Sequence, residues 1–109
     1  MQNIAVVILN WNGLNLLKSH LPNVIKNSGN ARIIVADNAS TDDTAAFSFS
    51  LLRDSTVDFS ILHEAEPGLI KARLCGLKAS KYDVLLYCDD DNTLDKDYIQ
   101  IGYDLMKSN

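Results

Sequence analysis

Four apolar segments alternate along the chain with four segments of mixed polarity. The apolar runs are continuous rather than alternating, which is typical of strands buried on both faces of a parallel sheet. They cover residues 4–9 (IAVVIL), 32–36 (RIIVA), 57–62 (VDFSIL) and 82–88 (YDVLLYC). The pattern therefore predicts four strands, of which the third is the most mixed in composition.

The segments between these runs predict helices. Their apolar residues recur at spacings of three and four, the period of one helix face. The predicted helices span residues 13–27, 42–53, 67–80 and 95–107. The last of these helices carries the apolar residues Tyr98, Ile101, Leu105 and Met106.

Three features predict where these helices begin or break. Pro22 predicts a kink or a break near Leu21, because proline lacks the N–H that a helix interior needs. Ser40 followed by Asp43 resembles a capping box that opens the second helix. Asp95 is suited to the N-cap of the last helix.

Strands that alternate with helices predict an α/β fold, a Rossmann-like three-layer α/β/α arrangement with a mainly parallel four-stranded sheet. The 109 residues predict a single domain, 1–109. The net charge of −4 argues against a nucleic-acid-binding surface. No apolar run approaches the length of a membrane-spanning helix. Cys75 and Cys88 lack metal-ligand spacing and are expected to be free thiols in a reducing compartment.

Polar residues follow every predicted strand. They are NWNG at 10–13, DNASTD at 37–42, HEAEPG at 63–68 and DDDN at 89–92. Open α/β sheets bind their ligands beyond the carboxyl ends of the strands. The sequence therefore predicts one sheet edge that carries carboxylates, amides and an imidazole.

The aspartate triplet is the strongest sign of chemistry at this edge. In an extended chain, Asp89 and Asp91 project to one side and Asp90 to the other. Mg²⁺ typically takes one or two carboxylates and leaves its other positions to water and substrate phosphates. The alternative is that these residues favour the dipole of the next helix, a task that Asp95 already serves. The triplet favours a metal–phosphate site over capping.

Other candidates also have ordinary structural interpretations. Asp37 suits an Asx turn or accepts hydrogen bonds from a base or ribose. Arg73 is either a surface residue or reaches back toward a phosphate or the carboxylates. His63 is interpreted as an ordinary strand-end histidine rather than a base. Trp11 is expected to pack over the sheet edge rather than to stack on a ligand.

Taken in order, four segments resemble the N-terminal, nucleotide-binding half of family 2 inverting glycosyltransferases with the GT-A fold. VVILNWNG resembles the opening strand and loop, and IIVADNASTDDT the second strand with its Asp-(Asp/Asn)-x-Ser-x-Asp-x-(Thr/Ser) loop. EPGLIKARLCGLKAS resembles the Asn-x-Gly-x-x-x-Ala-Arg-Asn-x-Gly helix, and VLLYCDDDNTL the fourth strand and the Asp-x-Asp motif. The match spans nearly the whole chain.

The resemblance implies roles for residues of the nucleotide pocket. Asp37 matches the aspartate that contacts the uracil or equivalent base of the donor. Asn10 and Asn12 match the first loop, which lines the pocket, and Arg73 matches the helix arginine close to the nucleotide. The match departs from the family pattern at Leu9-Asn10, usually Pro-Thr, which leaves the contacts of that threonine open. Pro67 takes the place usually held by an asparagine or arginine before the glycine, and Leu74-Cys75 stands where Asn-x is common after the arginine.

The resemblance also implies a divalent cation, Mg²⁺ or Mn²⁺. Asp91 is the expected direct ligand, with Asp89 as a second metal ligand. Asp89 and Asp90 are also candidates for a ribose contact or a metal-bound water.

For the full-length enzyme, the resemblance implies transfer of a sugar from a UDP-, GDP- or dTDP-sugar to a hydroxyl of a saccharide or lipid-linked acceptor, in cell-surface polysaccharide synthesis. The general base is expected beyond Asn109, so no catalytic residue is assigned in this chain and the chain alone is expected to be inactive. The expected location is the cytoplasm or the inner face of the cell membrane. A sheet edge left open would favour a homodimer.

Other functions remain open at this point. A non-catalytic nucleotide-binding or interaction module of the same fold is the main alternative. A dinucleotide-binding oxidoreductase is disfavoured because the first strand ends in NWNG without a GxGxxG motif. A phosphate-accepting receiver domain would need its acidic pair after the first strand, where this chain has asparagines.

Overall fold

The computed structural model describes residues 4–65, 68, 82, 84–89 and 94–107, with the backbone alone at Asp89 and Lys107. The predicted helix at 67–80 lies outside these residues apart from Gly68. Arg73, Asp90 and Asp91 lie outside them as well.

Four parallel strands form one sheet. They are β1 (Ile4–Asn10), β2 (Arg32–Asn38), β3 (Phe59–Glu64) and β4 (Val84–Asp89). The strand order is β3-β2-β1-β4, and each neighbouring pair is parallel. The α/β fold with a parallel four-stranded sheet is confirmed. β3 begins two residues later than predicted, because Asp58 still lies in the connection, where its carbonyl accepts a hydrogen bond from the Ile33 N–H.

Both faces of the two central strands are buried, which explains their continuous apolar runs. One face of the sheet contributes Ile4, Val6, Ile8, Ile33 and Val35 to a core that also contains residues of all three described helices. The opposite face contributes Ala5, Val7, Leu9, Ile34 and Ala36 to a second buried cluster. Leu62, Leu85 and Tyr87 of the outer strands pack against that second cluster.

Three helices are described: α1 (Leu14–Asn27), α2 (Thr44–Arg53) and α3 (Tyr98–Lys107). The predicted break near Leu21 is wrong, since α1 runs without interruption past Pro22. Leu17, Leu21 and Val24 are buried on both sides of the proline and hold the helix against the sheet. The packing of these side chains outweighs the hydrogen bond that proline removes.

The last helix packs against the sheet through a different face from the one that carries its four apolar residues named above. Ile99 is buried and Tyr103 packs against the core, while a Cβ on Gly102 would lie 3.3 Å from the Leu86 side chain. Those four apolar residues are exposed: Tyr98, Ile101, Leu105 and Met106. Gly102 explains the difference, because the missing side chain lets the helix approach β4 closely on that side.

The helix starts also differ from the predictions. α3 begins at Tyr98, three residues after Asp95, whose backbone carbonyl accepts the Tyr98 N–H.

The structure describes one of the two cysteines. Cys88 is buried in the core, and Cys75 lies outside the described residues. Across the described ranges, none of the helices has the length and apolar character needed to cross a bilayer.

Candidate functional site

Three polar side chains form a row across the carboxyl edge of the sheet. Asn10 of β1 pairs in register with Asp37 of β2, and Asp37 pairs in register with His63 of β3. Paired residues of neighbouring strands project from the same face, so the three side chains meet. The structure therefore brings Asn10 and Asp37 together, as the sequence predicts, and adds His63.

The Asp37 carboxylate is the centre of this row. Asp37 is 5% exposed, and Asn10 beside it is 3% exposed. Asn10 Nδ2 donates to Asp37 Oδ1 at 3.4 Å, and His63 Nδ1 lies 3.3 Å from Asp37 Oδ2. Each carboxylate oxygen thus meets one nitrogen from a neighbouring strand. The interpretation of His63 as an ordinary strand-end histidine misses this contact, because the sequence does not reveal the register that places it beside Asp37.

The loops after β1 and β2 are joined by hydrogen bonds. Ser40 Oγ accepts from the Asn12 N–H at 2.8 Å and from Asn10 Nδ2 at 3.2 Å. The Thr41 N–H donates in turn to Asn12 Oδ1 at 2.7 Å. Asn12 and Ala39 adopt left-handed backbone conformations, with φ of 48° and 58°. Asparagine adopts this conformation readily, whereas alanine at this φ is strained.

The capping box predicted for Ser40 and Asp43 is wrong. Ser40 bridges the two loops, and Asp43 at the N-cap of α2 makes no side-chain capping hydrogen bond. Asp42 takes the capping role: its Oδ1 accepts from the N–H of Thr44 at 3.1 Å and from the Thr44 hydroxyl. Its Oδ2 accepts from the Leu14 N–H at 3.2 Å, the first residue of α1.

Hydrogen bonding lowers the pKa of Asp42. Partial burial is the largest single influence and raises the pKa, but the hydrogen bonds from the Thr44 hydroxyl and from the N–H groups of Leu14 and Thr44 together outweigh it. These donors favour the charged form of the carboxylate. One ionised side chain thus joins the starts of α1 and α2.

Asn38 connects the second loop to the third. The Asn38 side chain is buried at the end of β2, and its Oδ1 accepts from the Gly68 N–H at 2.8 Å. Gly68 has a φ of 129°, a conformation that other residues rarely adopt. This explains why a glycine suits that position in the third motif.

The acidic triplet is described only at its borders. The backbone of Asp89 ends β4 beside Leu9 of β1. Leu94, buried in the core, donates its N–H to Asn23 Oδ1 at 2.6 Å, and its carbonyl accepts from Asn27 Nδ2 at 2.8 Å. Two side chains of α1 therefore fix the chain just after the segment 90–93, while Asp90 and Asp91 lie outside the described residues.

The described residues at this edge do not by themselves form the expected metal site. Among the described residues, no group of three or more histidine, cysteine or acidic side chains is placed to hold a metal. The hard carboxylate oxygens of Asp89 and Asp91 suit Mg²⁺ or Mn²⁺ by their chemistry.

Trp11 follows Asn10 at the same edge. Its expected packing over the sheet edge is wrong, because the residue is 64% exposed.

A groove of about 390 Å³ lies elsewhere, at the start of α3. Its lining consists of Asp95, Lys96, Asp97, Tyr98 and Ile101. Its described lining does not include Asn10, Asp37 or His63.

The four sequence motifs and the parallel sheet agree with a comparison against known families. The family model described as "Glycosyl transferase family 2" matches residues 5–109. The chain belongs to glycosyl transferase family 2. A search of curated proteins found no matching sequence.

Solved structures show the same fold. Residues 1–349 of S. aureus TarS are 18% identical, with a TM-score of 0.82 over 97% of this chain and 32% of that chain. The same TarS fragment in complex with UDP-GlcNAc is 17% identical, with a TM-score of 0.78 over 97% and 31% of the two chains. Glucosyl-3-phosphoglycerate synthase from Mycobacterium tuberculosis, in complex with Mn²⁺, UDP and phosphoglyceric acid, is 22% identical, with a TM-score of 0.65 over 81% and 32%.

These likenesses confirm the resemblance to the N-terminal portion of a GT-A glycosyltransferase. This family 2 glycosyltransferase chain spans about a third of the length of the structures that it matches.

Proposed function

We propose that this family 2 chain is the donor-binding half of a glycosyltransferase and holds the nucleotide diphosphate of a UDP-, dTDP- or GDP-sugar. The observation that carries the proposal is the buried carboxylate of Asp37 at the carboxyl edge of the sheet, held by Asn10 and flanked by His63. Ligands of open α/β sheets bind at this edge. The single domain is expected to span residues 1–109.

The nucleoside is expected to lie over the row and the two joined loops. Each carboxylate oxygen has two acceptor positions, so Asp37 retains acceptors for an N–H of a base after its contacts with Asn10 and His63. The hydrogen bonds between Asn12 and the Ser40 loop give the pocket a fixed wall. The complexes of TarS with UDP-GlcNAc and of the mycobacterial synthase with UDP support a nucleotide-sugar donor.

The diphosphate is expected beside the acidic triplet, with Mg²⁺ or Mn²⁺. Asp91 and Asp89 would hold the cation, Asp90 would contact ribose or a metal-bound water, and Arg73 would lie close to the phosphates. When bound, such a cation stabilises the charge that develops on the leaving diphosphate. Support comes from the Mn²⁺ in the mycobacterial synthase complex and from the register that ends β4 beside β1.

The rest of the reaction belongs to the full-length protein. An acceptor hydroxyl, of a saccharide or a lipid-linked molecule, would be activated by a base outside residues 1–109. We therefore expect no sugar transfer by this chain alone. Cell-surface polysaccharide synthesis, at the cytoplasmic side or the inner face of the membrane, is the proposed setting.

Calorimetric titration with UDP, with and without Mn²⁺, tests the proposal. We expect Mn²⁺ to tighten UDP binding to the chain, and Asp91→Asn to remove that gain while leaving metal-free binding unchanged. Asp58→Asn is a matched control, because Asp58 lies in the connection before β3, at the opposite end of the strand from the carboxyl edge.

UDP binding that Mn²⁺ does not tighten, in an intact chain, would contradict the metal assignment. Such a result would favour the alternative, a non-catalytic nucleotide-binding or interaction module of the same fold. Complete absence of nucleotide binding would contradict the donor site itself.

A further inference from the structure

The Asp37 carboxylate has neighbours on both sides, and they differ in their surroundings. Asn10 lies within the buried part of the sheet, and its hydrogen bond to Asp37 Oδ1 is long, at 3.4 Å. His63 lies on the outer strand β3, and its side chain is 66% exposed, against 6% for that of Asp37. The imidazole therefore stands at the rim of the site, where a ligand would enter.

A carboxylate held on one oxygen alone is poorly oriented. The terminal torsion of aspartate is broad and roughly two-fold, so the carboxylate plane turns readily unless both oxygens have partners. The 3.3 Å contact between His63 Nδ1 and Asp37 Oδ2 supplies the second partner. His63 thus fixes the direction in which the remaining acceptor positions of Asp37 point.

A fixed carboxylate distinguishes nucleobases by the hydrogen on their ring nitrogen. Uracil and thymine carry an N–H at ring position 3, which donates to a carboxylate. Cytosine has a lone pair at the same position, which a carboxylate repels. A site built to accept a ligand N–H rejects analogues that lack it, because its own acceptor is left unpaired.

We propose that His63 is a positioning residue that holds Asp37 for a nucleobase with a ring N–H, and that it thereby sets the preference of the site for UDP over CDP. This inference rests on the proposed donor site at Asp37. It assigns to His63 a task that acts through Asp37 and involves neither the metal nor the acceptor.

Calorimetric titration of the chain with UDP and with CDP, in the presence of Mn²⁺, tests the inference. The quantity of interest is the ratio of the two dissociation constants, since a general loss of folding changes both constants together. We expect His63→Ala to lower the preference for UDP about fivefold, the upper size of a polar contact made by an exposed side chain. His63→Asn keeps a side-chain N–H at the position of Nδ1, the atom that faces Asp37, and should retain most of the preference.

The two proposals fail in different ways. If Asp37→Asn removes the preference for UDP and His63→Ala leaves it intact, His63 has no positioning role and the donor site stands. If His63→Asn loses the preference as fully as His63→Ala, the inference also fails, because a donated N–H at the Nδ1 position was not the relevant contact. If Asp37→Asn changes neither constant, the proposed donor site is wrong and the inference falls with it.

Discussion

At the scale of single residues, Asp42 links the starts of α1 and α2 next to the carboxyl edge of the sheet. Its two oxygens accept hydrogen bonds from the starts of two different helices. The N-cap residues of those helices, Gly13 and Asp43, make no side-chain capping hydrogen bonds. The loop that carries Ser40 therefore depends on Asp42 for its position next to α1.

The first prediction concerns the stability that Asp42 provides. We expect Asp42→Ala to lower the free energy of unfolding at neutral pH by about 1–2 kcal/mol, the usual cost of a lost capping side chain. Asp43→Ala is the matched control, since Asp43 is exposed and makes no capping hydrogen bond. Its cost should stay within about 0.5 kcal/mol. Urea denaturation measures both values, and equal costs for the two variants would contradict the assignment.

The lowered pKa of Asp42 gives this stabilisation a pH dependence. A carboxyl group whose pKa is lower in the folded state stabilises the fold above its unfolded pKa, about 3.9 for aspartate. That contribution is lost as the pH falls through the folded pKa. The difference in stability between the natural chain and Asp42→Ala should therefore narrow from pH 7 toward pH 3. A difference that stays constant over this range would show that the charge of Asp42 is not responsible.

At the scale of elements, α1 fixes the chain after the acidic triplet. Asn23 and Asn27, four residues apart on α1, bond both backbone polar groups of Leu94. Residues at this spacing lie on one face of a helix, so they present two partners in line. The start of α1 therefore contacts the Ser40 loop, through Asp42. The later part of the same helix contacts Leu94, through Asn23 and Asn27.

The second prediction tests this link. Asn23→Ala leaves the N–H of buried Leu94 without its acceptor, which should cost about 1–3 kcal/mol in urea denaturation. We also expect the variant to weaken Mn²⁺-dependent UDP binding more than metal-free binding, because Leu94 borders the segment that contains Asp91. Asn15→Ala is the control, because Asn15 is an exposed residue of the same helix. Equal effects of the two variants would exclude a special role for Asn23.

How far the sequence predicts each element depends on how local its determinants are. The starts of β1 and β2 are predicted to the residue, because burial on both faces leaves an unbroken apolar run, while their predicted ends fall one and two residues short. β3 is misplaced by two residues, since an outer, half-buried strand has no such run. The inward face of α3 cannot be read from its sequence, which carries apolar residues on two sides; Ile99 and Tyr103 pack inward, and Gly102 lets that side approach Leu86 closely.

In the candidate site, too, features with local determinants are predicted and features that depend on contacts between elements are not. Strand ends can be read from the apolar runs, so Asn10 and Asp37 are predicted to meet. Strand register cannot be read in this way, and His63 is missed for that reason. Ser40 fits a local capping pattern, but its hydroxyl bonds the neighbouring loop instead, a contact that depends on the order of strands in the sheet.

At the scale of the whole molecule, an outer strand of the sheet lies next to a helix with exposed apolar residues. Among the described strands, β4 is an outer strand, bonded to β1 on one side only. Next to it, α3 exposes an apolar stripe formed by Tyr98, Ile101, Leu105 and Met106. Outer strands and exposed apolar stripes both favour association. This side of the chain is therefore where we expect a second copy to bind, in line with the proposed homodimer.

The last prediction is that this association depends on concentration and on the exposed stripe of α3. Size-exclusion chromatography with light scattering should show a mass that rises from one chain toward two as the protein is concentrated. Ile101→Lys places a charge on a side chain that is 57% exposed and should keep the chain monomeric without loss of stability. Leu16→Lys makes the same kind of change on α1, at a leucine that is 42% exposed, and should leave the association unchanged. A single-chain mass at every concentration would contradict the dimer, and equal effects of the two lysines would show that general charge, not the α3 stripe, controls it.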